Sequence, residues 1–148
     1  QQNIGIAPLF VQVFHNNMTD GISEISFTYD AGNFCVSLPL SSEYLTTVRL
    51  TTGGLCALCG FDVDSAEDFK VCVTESLLIL KRNGFRAADI SFRTGESLAC
   101  TVSGKEKGEP EEKTADDDIS YALLNALLGN AEFVKDNAGT VQTIAFEA

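Results

Sequence analysis

"VCVTESLLILKRNGF", residues 71–85, settles the secondary structure at the centre of the chain. Taken with the residues just before it, Phe69, Cys72, Val73, Ser76, Leu77 and Leu80 fall three and four positions apart, which lines them along one stripe of a helix. The helix is expected to begin at "DSAED", where Ser65 and Asp68 have capping-box-like spacing, and to end at "RNG", where Asn83 or Gly84 can turn left-handed. One carboxylate, Glu75, sits inside this otherwise buried-looking element, with Ile79 one turn further on.

Upstream, Ser41 or Ser42 caps another helix, spanning residues 41–60, in which Leu45, Val48, Leu55 and Cys59 recur at helical spacing. Gly53 and Gly54 in its middle permit a close approach or a break. Before it, Ile25, Phe27 and Tyr29 alternate with polar residues, "DAGN" turns the chain, and Phe34, Val36, Leu38 and Leu40 alternate again, which is a β-hairpin. Residues 1–17 read differently: "PLFVQVF" is an extra strand, a leader or an expression remnant.

Downstream, strands are expected at 88–93 and 98–102, joined by "TGES". Residues 103–118, "SGKEKGEPEEKTADDD", have almost nothing apolar to bury and predict a mobile loop, either a solvated linker or a docking tail for a basic partner surface. A short helix, "ISYALLNALLG", and a hairpin, "AEFVKDNAGTVQTIAFEA", close the chain. Strands and helices come in groups, which predicts an α+β fold: a two-layer sandwich of one mostly antiparallel sheet covered on one face by three helices. The domain reading is an N-terminal extension, 1–23, followed by one domain, 24–148.

The 148 residues, 45% hydrophobic, are enough for one domain with a real core. A formal charge of −11 repels phosphate backbones and anionic lipid, so neither nucleic acid nor a membrane is an expected partner. Five cysteines, an odd number set among apolar neighbours, fit reduced thiols in the cytoplasm better than a disulfide framework. Cys56 and Cys59 form a C-x-x-C, but there is no second pair and the only histidine, His15, is distant, so packing is the expected role and no metal site is expected. "IAPLFVQVF" lacks a positive flank, since the first basic residue is Arg49, and this argues against a signal peptide.

Element order and two phrases carry a resemblance over roughly residues 33–147. "LPLSSEYLTTVRLTTGGLCALCGFDVDSAEDFKVCVTES" and "LLNALLGNAEFVKDNAGTVQTIAF" resemble the bacterial anti-sigma factor serine kinases, small histidine-kinase-like (GHKL) ATPases. The resemblance implies that fold, a cytoplasmic and dimeric protein, and partners of two kinds, a sigma factor or an anti-sigma antagonist, met by the surface around the first helix. It also implies a Mg-ATP site built from three elements. The first is an E-x-x-x-N motif, whose glutamate is the general base and whose asparagine holds Mg²⁺. Glu75 matches the glutamate, but Ile79 stands at the asparagine's place and offers a cation no oxygen or nitrogen. Asn83 lies a further turn away, about 6 Å along the axis.

The second element is an aspartate in a D-x-G turn that reads adenine; Ser103 or Gly104 occupies the matching place in "VSGKEKG". The third is a glycine-rich helix start that receives phosphate; Asp117, Asp118 and Ser120 stand there. A carboxylate about 5 Å from a phosphate charge costs roughly 3 kcal/mol at an effective dielectric near 20, and aspartates already complement the helix's positive end. All three elements are altered together. The reading is therefore a degenerate family member, an anti-sigma-like regulator that binds a protein partner without ATP or any other cofactor. An active ATP-dependent serine kinase with Glu75 as base, or a small adaptor for another ligand, are the alternatives.

Overall fold

Residues 9–14, 24–112 and 115–148 are described by a computed structural model. His15, Met18 and Lys113 lie outside the described residues. The elements are β1 (Leu9–Phe14), β2 (Ile25–Asp30), β3 (Asn33–Pro39), a 3₁₀ turn (Ser42–Tyr44), α1 (Leu45–Leu58), α2 (Val63–Arg82), β4 (Phe85–Thr94), β5 (Leu98–Lys107), α3 (Ala115–Leu127), β6 (Glu132–Lys135) and β7 (Val141–Glu147).

The period-two alternation read in the sequence becomes a two-faced sheet. Phe27 pairs with Val36, Val36 with Ile90, Ile90 with Val102, and Val102 with Ile144, so one apolar row crosses five strands on the helix-facing side. The adjacent row on the other face runs Ser26, Ser37, Asp89, Ser103 and Thr143. It is knitted by Ser37 Oγ donating to Asp89 Oδ1 at 2.6 Å and by the Ser103 and Thr143 hydroxyls 3.3 Å apart. All neighbours in the seven-stranded order β1-β2-β3-β4-β5-β7-β6 are antiparallel. The α+β two-layer arrangement stands as expected, and Leu9–Phe14 form a strand paired with β2 at the sheet edge.

The α2 stripe inserts into this face. Phe69, Cys72, Val73, Ser76, Leu77 and Leu80 are fully buried, and the Phe69 ring meets Phe146 edge-on at 5.2 Å. Each large apolar side chain buried this way contributes about 1.5–3 kcal/mol. Ser76 escapes the cost of a buried hydroxyl by donating to Cys72 O at 2.8 Å. The helix starts earlier than the capping-box spacing implied: Asp62 is the cap, its carboxylate accepting at 2.7 Å from the N–H of Ser65, which is a donor to the cap and not the cap itself. Gly84, at φ +98, makes the left-handed exit, while Asn83 is the last right-handed residue. The α1 helix runs unbroken through its two glycines; Gly53 faces Lys70 and Gly54 opens to solvent.

The expected loop over 103–118 is corrected at both ends. Two strands extend beyond their expected bounds, so residues 103–107 continue β5 against β4 and α3 is already under way at Ala115. Past the end of β5, Gly108 N–H donates to Gly84 O at 2.7 Å and Glu111 N–H to Arg82 O at 2.8 Å. Backbone pairing has overridden the polar composition that marked the stretch as loop. A strand edge satisfies its amides whatever its side chains are.

Candidate functional site

Glu75 and Arg82 are seven residues apart on α2 and so share a helix face; Asp117 and Ser120, three apart on α3, share another. The two faces meet. Ser120 Oγ donates to Glu75 Oε1 at 2.6 Å, and Arg82 Nη2 donates to the same hydroxyl at 2.5 Å. Arg82 Nε donates to Asp117 Oδ1 at 2.6 Å, with Nη2 also reaching Asp116 O at 3.4 Å. Ser120 is 1% exposed, and the Arg82 and Asp117 side chains are 15% and 16% exposed, so the chain Asp117–Arg82–Ser120–Glu75 is largely withdrawn from water. Charge-assisted bonds in such surroundings are the stronger kind. They clasp α3 to α2.

One turn beyond Glu75, Ile79 is 1% exposed and belongs to the core. Asn83 is occupied as well, its amide donating to Val141 O at 3.1 Å. Ile79 has no oxygen or nitrogen to offer a cation beside Glu75, and Glu75 itself accepts from Ser120. Ser103 and Gly104 are not in a turn; both lie within β5, on opposite faces. Ser103 meets Thr143, and Gly104 receives the Phe85 ring so closely that a Cβ there would stand 2.4 Å from it. The adenine-reading position inferred from the sequence is thus strand interior, displaced because β5 outlasts its apolar residues. Of the aspartates at the α3 start, Asp117 is neutralised by Arg82, whereas Asp118 is exposed.

A cleft of about 720 Å³ opens beside the clasp, between the end of α2, the first turns of α3 and the β6–β7 hairpin. Tyr121 and Phe133 form one wall, edge to face with centroids 5.1 Å apart. Burial, followed by the Asp117 charge, pushes the Tyr121 hydroxyl above its ordinary pKa, against a hydrogen bond with Asn83 and the Arg82 charge. The hairpin is held by Asp136, which accepts from the Ala138 and Thr140 amides, and by Lys107 at 3.2 Å.

All five cysteines are free thiols. Cys56 is fully buried at the end of α1, and burial, then the neighbouring Cys59, pushes its thiol up to about 11. Cys59 lies 4.0 Å from Ser97 O. Among the described residues no group of three or more His, Cys, Asp or Glu side chains is placed to hold a metal. Among them, too, no helix is long and apolar enough to cross a membrane.

Arg82 and the Tyr121–Phe133 wall were not singled out from the sequence. Arg82 had a usable signal, its seven-residue spacing from Glu75; the aromatic pair had none, since it joins α3 to a strand.

Comparison with known proteins finds similarity to serine-protein kinases at low identity. The chain is 23% identical to "Serine-protein kinase RsbW" of Bacillus cereus strain B4264 over an alignment of 128 residues, 72% of this chain and 79% of that protein. The namesakes in Bacillus mycoides strain KBAB4 and Bacillus anthracis strain A0248 are 22% and 20% identical over the same shares. No protein-family model matches the chain.

Proposed function

We propose that this chain is an anti-sigma-type regulator that acts by binding a protein partner, a sigma factor or an anti-sigma antagonist, without binding ATP. The observation that carries the reading is the use of Glu75: its carboxylate is tied by Ser120 to α3, and the residue one turn on, Ile79, is core. A general base needs a free carboxylate oxygen within hydrogen-bond reach of the substrate proton; here Glu75 Oε1 is taken by the Ser120 hydroxyl. The exposed apolar side chains of α1, Leu50 at 74% and Leu58 at 79%, with Val63 at 77% at the start of α2, support a partner surface around the first helix. A cytoplasmic homodimer is part of the same reading. The names of the curated relatives favour a second one, an ATP-dependent serine kinase, which requires the clasp to open.

The test is capture from bacterial extract with the immobilised chain and with a Leu50→Glu/Leu58→Glu variant. Recovery of a sigma factor or its antagonist by the first and not the second supports the proposal. Recovery of neither by the unaltered chain contradicts it.

A further inference from the structure

We infer that the cleft beside the clasp receives an arginine side chain of the protein partner. This rests on the reading of the chain as a partner-binding protein, and adds where and by what chemistry the partner is held.

At about 720 Å³ the cleft falls within the usual range for ligand sites. Its aromatic wall, Tyr121 against Phe133, presents π-faces and edges on two different elements, α3 and β6. Three carboxylates line it, those of Glu111, Asp117 and Asp118, against two cations, Arg82 and Lys135. Asp117 and Arg82 are spent on each other. Lys135 is exposed on the hairpin side and sets one limit on where a second positive group can go. Glu111 and Asp118 are exposed, and both stand on fixed backbone: Glu111 N–H is bonded to Arg82 O at 2.8 Å, and Asp118 lies in the first turn of α3.

The chemistry narrows the occupant. With Asp117 paired to Arg82, an anion would meet the Glu111 and Asp118 carboxylates against the one ammonium of Lys135, and a purely apolar group would desolvate those two carboxylates without replacing their hydrogen bonds. A guanidinium satisfies both features, stacking on an aromatic face and offering a planar fork to carboxylates, and it does so better than a lysine ammonium. The −11 charge of the whole chain draws a basic segment towards this surface.

The probe is the tripeptide acetyl-Gly-Arg-Gly-amide, titrated into the full ¹⁵N-labelled chain, with the same peptide carrying citrulline as the uncharged control. Saturable shifts at Tyr121, Phe133, Gly139 and Thr140 with arginine, absent with citrulline and weakened about tenfold in Glu111→Gln/Asp118→Asn, support the inference. Both substituted residues are exposed, so the variant keeps the fold. Absence of those shifts, or equal shifts with citrulline, overturns it. Tyr121→Ala, checked for an intact spectrum, must weaken the arginine peptide too; undiminished binding counts against the aromatic wall. The two proposals fail separately. A sigma factor or antagonist captured equally well by the unaltered chain and by Glu111→Gln/Asp118→Asn leaves the regulator reading standing and removes the cleft as its docking point.

Discussion

Ser120 on α3 donates its hydroxyl proton to Glu75 on α2 at 2.6 Å while itself accepting from Arg82 at 2.5 Å, so one buried hydroxyl joins the only carboxylate of the α2 core segment to the helix above it. The residue types that mark Glu75 as a chemical group in the sequence leave it, in the fold, as part of a fastener.

Removing the hydroxyl leaves two buried or half-buried polar groups short of a partner. Ser120→Ala is expected to lower the unfolding free energy by about 1–3 kcal/mol. Glu75→Gln, which keeps an acceptor oxygen, should lose less than Glu75→Ala. Urea denaturation of the three variants decides this; a Ser120→Ala chain as stable as the original would mean the clasp carries no weight.

The Arg82–Asp117 pair, 15% and 16% exposed, is better protected than a surface bridge. Arg82→Met is expected to cost about 3 kcal/mol, because it removes the cation of this buried pair and the donor to Ser120. Asp117→Leu added to Arg82→Met should restore part of that loss. Full additivity of the two substitutions in a double-mutant cycle would show that the pair is not coupled.

Gly104 is a packing requirement. A methyl group there would enter the Phe85 ring at 2.4 Å, and Phe85 is 4% exposed with the Lys107 ammonium 5.5 Å from its centroid. Gly104→Ala is expected to destabilise by about 1–3 kcal/mol, with partial rescue by Phe85→Leu. Melting temperatures of the single and double variants test it.

Much of this architecture was legible in the sequence because it rests on periodicity. The 3.6-residue stripe of α2 and the alternation of β3, with Val36 and Leu38 buried, survived into burial, whereas in β2 only Ile25 is buried and Tyr29 is 46% exposed. The ends of elements did not, since Asp62 outcompeted Ser65 as cap and β5 ran on through Ser103–Lys107 by backbone pairing with β4 despite its polar side chains. At the site, Ile79 and Glu75 stood where spacing put them. The partners that define Glu75, Ser120 and Arg82, are 45 and 7 positions away, and the first is fixed only by the packing of α3 on α2.

Cys56 and Cys72 give a pH signature. Burial raises their thiols to about 11 and about 12 from an ordinary 9.0, so the folded chain holds these protons more tightly than the unfolded one. Their contribution is complete below pH 9, and falls as pH rises from 9 through 11–12, because only the unfolded state gains by deprotonating there. Stability measured by urea titration should be flat through neutral pH for these groups and decline above 9, less steeply in Cys56→Ala/Cys72→Ala. A decline of the same steepness in that variant would assign the effect elsewhere.

The central claim is the proposal that the chain keeps the fold around Glu75 without binding the nucleotide. Thermal unfolding with and without Mg-ATP measures it directly, since a ligand at a hundredfold excess over its Kd adds about 2.7 kcal/mol. The account predicts an unchanged melting temperature at saturating Mg-ATP. A rise of several degrees, abolished by Glu75→Ala, would contradict it.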